Sequence, residues 1–485
     1  MMANLDDVIV PENVRMTAAQ TWCRRKNIPI TRTRKNFFIN LRLFTSSRAP
    51  ALPPIISAAL SVFVALMSMS IADGQSPESI ENTTSPAPSA TPPAPSDAPL
   101  DGREGRELLL RNFRPRSQLR VPSHPRTHAA FPVVDVHTHF YYKLRGNSQA
   151  IDDFVKLMDR NQIAVCVSLD GKLGSQLDAH IKELWTDYRD RFVIYANIDW
   201  QGDGAADDPA SWDCHRRGFA ERTSEKLRDA VSKGVSGLKL FKRFGLGYKN
   251  PDGSLIKIDD PRWDPIWQTC GELGIPVIIH TADPAAFFDP IDETNERWEE
   301  LSRHPNWSFH GDEFPSRDSL LADRNRVIAR HPKTQFIGAH MANNAEDLAS
   351  VAEWLDTYPN LWVEPASRIN ELGRQPYTSR DFMIRYADRI LFGTDGPWPE
   401  ARLRYYWRFF ETRDENFPYS EKVPPPQGMW TIDGIDLPDD VLKKIYHENA
   451  AKLIPGVAER LAAFRRDPPA TYPRPPATSK RKVSQ

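Results

Sequence analysis

The sequence predicts an α/β protein built as a (β/α)8 barrel, the TIM-barrel architecture. Eight short apolar runs alternate with stretches that carry helical periodicity, and four of these runs end in a histidine or an aspartate. Such alternation is typical of βαβ units around a parallel sheet. Eight strands joined by right-handed crossovers are the number that closes a barrel.

The predicted strands are apolar segments that run up to polar or turn residues. They span residues 132–139, 163–169, 192–198, 236–241, 276–280, 334–340, 361–365 and 389–394. Because the strands of such a barrel are parallel, their carboxyl ends converge on one mouth. Polar side chains at those ends are therefore expected to lie close together.

The helices between the strands are predicted from apolar residues at helical spacing with charges on the opposite face. The clearest ones cover 152–161, 222–233, 318–331 and 345–358. Long insertions follow strand four at 243–260 and strand five at 282–317, on the side where barrel enzymes build sites and lids. A third excursion, 414–437, precedes a last helix at 439–451.

The two ends of the chain differ in composition from the barrel. Residues 1–72 form a basic leader followed by an apolar stretch, which resembles a secretory signal with cleavage after Ala72. An uncleaved membrane anchor is the alternative, and a misplaced start codon would explain the length of the leader. Residues 73–124 are predicted to be a Pro-rich linker, 125–465 the barrel and 466–485 a disordered tail. We therefore expect an exported protein.

Charge and cysteine content exclude several classes of protein. The formal net charge is -1 over 485 residues, so no basic field indicates a nucleic-acid partner. The four cysteines form no CxxC pair and no disulfide framework. A small-molecule substrate is expected, a membrane would be reached only through the N-terminal segment, and a homo-oligomer is left open.

Ligand-type residues end the predicted strands one, five, six and eight. Asp135, His137 and His139 share one face of strand one, because side chains two residues apart in a strand point the same way. The other three are His280, His340 and Asp395. Neutral imidazoles and a carboxylate at one barrel mouth can bind a divalent metal ion.

These residues lie in motifs that resemble the second amidohydrolase family of metal-dependent hydrolases, which also includes decarboxylases of the aminocarboxymuconate semialdehyde and resorcylate types. The resemblance covers roughly residues 131 to 455. The motifs are DxHxH at 135–139, IIHT at 278–281, GAH at 338–340, FGTD at 392–395 and NAxxL at 449–453.

The resemblance implies one divalent ion at the barrel mouth. The metal ligands that it implies are His137, His139, His280 and Asp395. Zinc is favoured by three histidines and a carboxylate, and manganese also fits. His340 would transfer protons beside the metal, and Asp395 could accept the proton of the attacking water while it holds the ion.

Several other charged residues keep more than one interpretation. Asp135 lies one layer deeper than the histidines and is expected to support them. Lys239 occupies the place where binuclear relatives carry a carbamylated lysine, but a buried ion pair or a contact to a substrate carboxylate is the favoured interpretation. Glu364 and Arg368 either line the barrel mouth or pair with each other.

The resemblance implies a metal-dependent hydrolase that acts on an ester, lactone or amide of a small molecule. Non-oxidative decarboxylation at the same site is the alternative, and a non-catalytic secreted barrel is a remote one. Lys242, Arg243 and Arg368 are candidates to bind a carboxylate, and such a cationic pocket would favour the decarboxylase. The substrate itself is not readable from the sequence.

Overall fold

The computed structural model describes residues 30–32, 37–39 and 115–469. Ile30–Arg32 pairs antiparallel with Phe37–Ile39. Apart from these two short strands, the predicted leader and signal segment lies outside the described residues, as do most of the linker and tail. Among the described helices, none combines the length and the apolar character that crossing a bilayer requires.

Residues 115–469 form a barrel whose seven regular strands are parallel and neighbour one another in chain order. The strands are β1 (Val133–Thr138), β2 (Ile163–Lys172), β3 (Phe192–Asn197), β4 (Gly237–Leu240), β5 (Val277–Ile279), β6 (Phe336–Gly338) and β7 (Leu361–Val363). Each lies within or overlaps a strand that the sequence predicts. The predicted barrel fold is confirmed.

The eighth position is occupied by an extended segment, 390–396, that joins the two edges of the sheet. Ile390 forms a parallel bridge with Val363, and Gly396 forms one with Thr138. The Val136 amide also donates to the Phe392 carbonyl at 2.9 Å. The ring of strands is therefore closed, although this segment is not a regular strand.

The irregularity of the eighth segment has a local cause. The Thr394 amide donates to Asp135 Oδ1 at 3.1 Å, so a side chain takes the place of a neighbouring strand. The Thr394 hydroxyl donates to Asp135 Oδ2 at 2.6 Å, and Asp395 then adopts a φ of 66°. This φ is in the left-handed region, which interrupts extended pairing. Asp135 therefore supports the eighth segment.

Eight helices follow the strands and cover the outside of the barrel. They are α1 (Ser148–Arg160), α2 (Ser175–Tyr188), α3 (Phe219–Ser232), α4 (Asp264–Leu273), α5 (Arg317–Arg330), α6 (Leu348–Thr357), α7 (Pro376–Arg385) and α8 (Glu400–Glu411). In α1 the Asn147 side chain caps the first turn, and Ile151, Val155 and Met158 bury one face.

The segment predicted as one last helix at 439–451 is built from shorter pieces. Asp439–Lys443 (α9) continues through a π-helical turn, Lys444–Glu448, into Asn449–Leu453 (α10), and Val457–Arg466 (α11) follows. The Asn449 side chain donates to the Ala387 and Ile390 carbonyls, both at 2.7 Å. This residue of the NAxxL motif therefore anchors the C-terminal helices to the start of the eighth segment.

The insertions after β4 and β5 contain short helical turns, and the first also contains an antiparallel bridge between Lys249 and Leu255. Arg243–Leu246 lies in the first, and Ala285–Phe288, Trp298–Leu301 and Pro305–Trp307 lie in the second. The excursion after α8 is held by an antiparallel bridge between Phe417 and Ile432. The two insertions start at the carboxyl ends of β4 and β5, on the same side of the barrel as the ligand-type residues.

Candidate metal centre

Three of the predicted ligands lie together at the barrel mouth. His137 Nε2 is 3.6 Å and His139 Nε2 is 3.3 Å from Asp395 Oδ1. Ligand atoms of all three residues lie within 4.8 Å of one another. His137 lies near the end of β1, His139 follows that strand directly, and Asp395 lies in the eighth segment, which is bonded to β1. Closure of the barrel therefore assembles this group.

Two buried carboxylates fix the orientation of the two histidines. His137 Nδ1 bonds to Glu364 Oε1 at 2.8 Å, and His139 Nδ1 bonds to Asp170 Oδ1 at 2.6 Å. A metal-binding histidine typically donates its other ring N–H to such a carboxylate, which leaves Nε2 unprotonated toward the ion. The arrangement of these residues fits a divalent metal ion.

The ionisation of His137 and Asp395 suits metal binding. Burial and the nearby charge of Lys239 hold the pKa of His137 well below its usual value, so the ring is neutral. Burial favours a higher pKa for Asp395, but the His139 hydrogen bond and the neighbouring histidines hold it well below the usual value. Neutral imidazoles and an ionised carboxylate are the forms that coordinate a metal. Burial favours a lower pKa for His139, but its hydrogen bonds to Asp170 and Asp395 raise it, so a metal ion would compete with a proton at this ring.

A second group, formed by His137, His340 and Glu364, is also compact. Its atoms are joined by hydrogen bonds, so Glu364 Oε1 and His137 Nδ1 are already engaged and not available to a metal ion. Glu364 Oε1 accepts from His137 Nδ1 at 2.8 Å and from the His340 amide at 2.9 Å. These residues therefore support the centre and do not form a separate metal site.

The fourth predicted ligand, His280, lies beside this group and has a separate partner. Its ring centroid is 4.5 Å from that of His340, and its Nε2 lies 3.3 Å from Asp283 Oδ1. Asp283 also pairs with Lys242. Within the described residues His280 is not a member of the compact groups, and Nδ1 is the ring nitrogen left for a metal.

His340 lies between these residues with a defined tautomer. Nδ1 donates to the Ala366 carbonyl at 2.7 Å, so Nε2 is the unprotonated nitrogen. Burial, followed by the charges of His280 and Arg368, holds the pKa of His340 well below its usual value. The ring is therefore a neutral hydrogen-bond acceptor beside the predicted ligands.

The backbone at His340 is strained. His340, Met341, Ala342 and Asn343 have φ values of 56°, 58°, 52° and 56°, a full left-handed turn. Such conformations are costly for residues with a Cβ and are retained where the surroundings impose them. Here the buried Arg324 bonds to the carbonyl of Ala342. The strained turn carries His340, which the sequence predicts to be catalytic, and strained backbone conformations are common at functional sites.

A segment after β7, residues 364–368, contacts most of the site. Glu364 holds His137 and the His340 amide, Ala366 accepts from His340, and Ser367 Oγ donates to Asp395 Oδ2 at 3.2 Å. The sequence leaves open whether Glu364 and Arg368 line the mouth or pair with each other. In the structure Glu364 bonds to His137, and Arg368 lines the cavity. The contacts of Asp170, Ala366 and Ser367 could not be read from the sequence, because no motif marks them.

Lys239 is buried, and its Nζ has no hydrogen-bond partner among the described residues. Burial lowers the pKa of this lysine to about 8, against the opposing charges of Glu364 and Asp395. The expected buried ion pair is therefore not formed at hydrogen-bonding distance. Its charge still lowers the pKa of His137 and His280.

The centre opens into a cavity of about 690 Å³ that is lined by the insertion after β5 and the excursion after α8. His280, His340 and Asp395 form part of its wall, together with Lys242 and Arg368. Arg243, another candidate for a substrate carboxylate, does not line it and instead lies over the ring of Tyr248 at 4.8 Å. A small molecule in this cavity could contact His280 and Asp395, two of the four predicted ligands.

Known proteins with similar structures include an uncharacterized TIM-barrel protein from Bordetella bronchiseptica. The alignment with it covers 68% of this chain and 99% of the Bordetella chain, with 16% sequence identity and a TM-score of 0.40. A 2,6-dihydroxybenzoate decarboxylase from Rhizobium is 16% identical, with coverage of 66% and 98% and a TM-score of 0.39. A dihydroxybenzoic acid decarboxylase from Polaromonas sp., with bound manganese, is 15% identical, with coverage of 66% and 96% and a TM-score of 0.40. A family model described as Amidohydrolase matches residues 134–456.

Proposed function

The chain belongs to the amidohydrolase family, and from this premise we propose that it is a metal-dependent hydrolase acting on an ester, lactone or amide bond of a small molecule. One observation carries the proposal. The Nε2 atoms of His137 and His139 face Asp395 while buried carboxylates hold both Nδ1 atoms. This is the donor set and the support that a catalytic metal site requires.

We propose that His137, His139 and Asp395 hold one divalent ion and that His280 contributes through Nδ1. Zinc is the favoured ion on the chemistry of these donors, and manganese also fits them. A divalent ion at this position would lower the pKa of water and polarise a carbonyl group.

The protein residues supply the proton transfers in this proposal. Asp395 Oδ2 is held by the Ser367 hydroxyl, which keeps the carboxylate directed toward the histidines, and it accepts the proton of the attacking water. His340 presents an unprotonated Nε2 to the cavity, since Nδ1 donates to Ala366. Nε2 accepts the proton that Asp395 has taken from the water and donates it to the leaving group, so both side chains return to their starting protonation states.

A second candidate is non-oxidative decarboxylation with the same residues. It is favoured by Arg368, a buried cation that lines the cavity. A substrate acid would bring a carboxylate to this cation. His340 Nε2 would take up a proton from water and deliver it to the carbon atom that loses carbon dioxide. The two reactions differ in their products, not in the proposed metal ligands.

The proposal is tested by metal analysis together with a substrate screen. We expect purified protein to bind about one divalent ion per chain, and zinc or manganese to restore activity after chelation. Lactones, esters and amides are screened for hydrolysis, and aromatic acids for release of carbon dioxide. Stoichiometric metal with hydrolysis supports the first candidate, and carbon dioxide release supports the second. Protein that binds no divalent ion contradicts both.

A further inference from the structure

Arg324 is a buried cation on helix α5 that contacts the segment carrying His340. Its side chain is fully buried, and Nη1 donates to the carbonyl of Ala342. Its Nε and Nη2 atoms donate to Asn325 Oδ1 at 3.1 and 2.8 Å. The guanidinium also lies over the ring of Trp354, 4.6 Å from its centre. Every one of these partners is uncharged.

The charge of Arg324 is therefore not balanced by an acid. Among the described residues, no carboxylate lies within ion-pair distance of its guanidinium. Burial, followed by the charge of Arg317, lowers the pKa of Arg324 to about 9, so the side chain is still protonated at pH 7. Taking a guanidinium out of water without a carboxylate costs free energy, which its other contacts have to offset. The carbonyl of Ala342 supplies a partial negative charge in place of a carboxylate.

That carbonyl belongs to the left-handed turn at residues 340–343, where φ lies between 52° and 58°. Left-handed backbone is unfavourable for residues with a Cβ, so four of them in succession need support from outside the turn. The aligned peptide dipoles of a helical turn leave partial negative charge on its last carbonyls, and a cation there is stabilising. Arg324 lies at this end of the turn.

A second arginine of α5 contacts the same end. Arg317 precedes Arg324 by seven residues, or two helical turns, so both side chains extend from one face of α5. Arg317 Nη2 donates to the carbonyl of Asn343, and its Nε donates to the carbonyl of Asp283 at 3.1 Å. It thereby joins the turn to the segment that follows His280.

The beginning of the turn is held separately, by the segment after β7. The His340 amide donates to Glu364 Oε1 at 2.9 Å, and the Met341 amide donates to the Glu364 carbonyl at 2.7 Å. The two arginines hold the end of the turn. The direction of the His340 ring, whose Nδ1 bonds to Ala366, therefore depends on contacts at both ends.

We propose that Arg324 is a positioning residue for His340 and that it acts, together with Arg317, by holding the carbonyl end of the left-handed turn. We name these two residues the arginine pair. The inference rests on the proposed function, because that proposal gives His340 its role in proton transfer. Neither arginine is among the described residues that line the cavity, so the pair acts through the turn and not by contact with substrate.

Hydrogen–deuterium exchange of the metal-free protein tests the placement without a substrate. Arg324→Met keeps the length of the side chain but removes its charge and donors. We expect the His340 and Met341 amides to exchange roughly 10- to 100-fold faster, the usual worth of hydrogen bonds to a charged group. The amides of β3, three strands away, should keep their wild-type rates. Arg326→Met, at an exposed position of α5, is the matched control and should exchange as wild type does.

Kinetics with a substrate from the screen test whether this placement serves the reaction. We expect Arg324→Met to lower kcat by roughly 10- to 100-fold with unchanged metal content, because a small displacement of a catalytic group has effects of this size. In the His340→Ala background the same substitution should have no further effect, since both changes act on one group. Arg324→Lys restores the charge and one donor, and it should recover part of the exchange protection and of kcat.

Several results would overturn the assignment. They are unchanged exchange of the His340 and Met341 amides in Arg324→Met, equal acceleration of the β3 amides, an unchanged kcat, or a fall in kcat that remains in the His340→Ala background. Equal acceleration would show that Arg324 stabilises the whole barrel and has no specific effect on the turn.

Two further cases are covered by the same measurements. If Arg324→Met does not fold, Arg317→Met removes the other member of the arginine pair, and the same exchange and kinetic comparisons decide. Protein that binds no metal and turns over no substrate contradicts the proposed function. Selective exchange of the turn in Arg324→Met would then still support the placement of His340 by the arginine pair, and unchanged exchange would contradict it.

Discussion

At the scale of single residues, Glu364 and Asp170 decide which atoms of His137 and His139 are available. Each carboxylate engages Nδ1, so both rings present Nε2 to Asp395. Neither acid belongs to the histidine motifs of the sequence. The properties of the centre therefore depend on residues that the motifs do not contain.

Replacement of the proposed ligands should separate metal binding from proton transfer. Alanine at His137, His139, His280 or Asp395 removes one donor, and we expect less bound metal. His340→Ala should retain the metal and lose roughly two to four orders of magnitude in turnover, the usual worth of a positioned acid or base. Metal content and activity are measured together for all five variants. Loss of metal in His340→Ala would make that residue a ligand, and full activity would remove it from the mechanism.

Removing the charge of the carboxylate that hydrogen-bonds to a ligand histidine should lower the affinity for the metal ion. Asp170→Asn preserves size but replaces one oxygen that accepts from His139 or from the Tyr141 amide. We expect a 10- to 100-fold lower metal affinity, which is roughly the usual effect of losing such support. Competition with a chromogenic chelator measures the affinity. Asp178→Asn, on the exposed face of α2, is the control, and equal affinities in all three proteins would show that Asp170 has no such role.

At the scale of elements, the left-handed turn that carries His340 depends on the glycine before it. A Cβ at Gly338 would lie 2.6 Å from the Ala342 Cβ and 2.8 Å from its Cα. Gly338→Ala should therefore lower the free energy of unfolding by about 1–3 kcal/mol, as overpacked sites do, and displace His340. Urea unfolding and activity measure the two effects.

The double variant Gly338→Ala with Ala342→Gly is the internal control for this turn. It removes the contact between the two Cβ atoms and places a glycine at a φ of 52°. We expect it to recover part of the stability and activity lost in the single variant. A single variant as stable as wild type would show that the turn adapts without strain.

The π-helical turn Lys444–Glu448 should make stability depend on pH. Burial, followed by the charge of Arg465, lowers the pKa of His447 from 6.5 to about 4, and Nδ1 donates to the Pro132 carbonyl at 2.8 Å. Between these two pKa values, His447 is protonated in the unfolded chain and neutral in the folded chain. This contribution to stability is complete above pH 6.5 and is lost as the pH falls toward 4.

Between pH 7 and pH 5 this histidine should account for about 2 kcal/mol of lost stability. In His447→Asn, which can still donate to Pro132, the fall over that interval should be smaller by this amount. His310→Asn, at an exposed position, is the control and should match wild type. The comparison uses urea unfolding at both pH values. An unchanged fall in His447→Asn would show that His447 is not the group responsible.

The elements differ in how far the sequence predicts them. Seven strands agree with the predicted ones because burial on both faces leaves long apolar runs. The eighth was predicted as a strand because its residues are apolar, but its pairing depends on Asp135, far away in the chain. The contact partners of Glu364 and Arg368 cannot be predicted from the sequence for the same reason. Partners across the barrel depend on the folded arrangement and not on the local sequence pattern.

At the scale of the whole molecule, the predicted barrel boundary at residue 125 removes His124, whose side chain is mostly exposed but contacts the buried Asp414. The His124 amide and Nδ1 bond to Asp414 at 2.6 and 2.7 Å, and Asp414 is buried. A protein cut to 115–469 should therefore melt close to the full chain. One cut to 125–465 should lose about 1.5–3 kcal/mol, the value of hydrogen bonds to a charged group, and melt a few degrees lower.

Calorimetric melting of both shortened proteins and of the full chain checks this boundary. His124→Ala in the full chain is the matched variant and should reproduce most of the loss. Equal melting of the two shortened proteins would show that the contact of His124 contributes nothing. A large loss in the 115–469 protein would mean that residues outside it stabilise the barrel.

The bond from the Thr394 amide to Asp135 spans 259 residues of chain, and it has a consequence for synthesis. During translation His137 and His139 emerge from the ribosome early. Glu364 and Asp395 emerge only when most of the barrel has been synthesised. Contacts between such distant residues form late, because the intervening chain must be ordered first. A nascent chain therefore carries two histidines without a centre, and a chain interrupted before residue 395 never gains one. Metal uptake should mark the completion of each molecule.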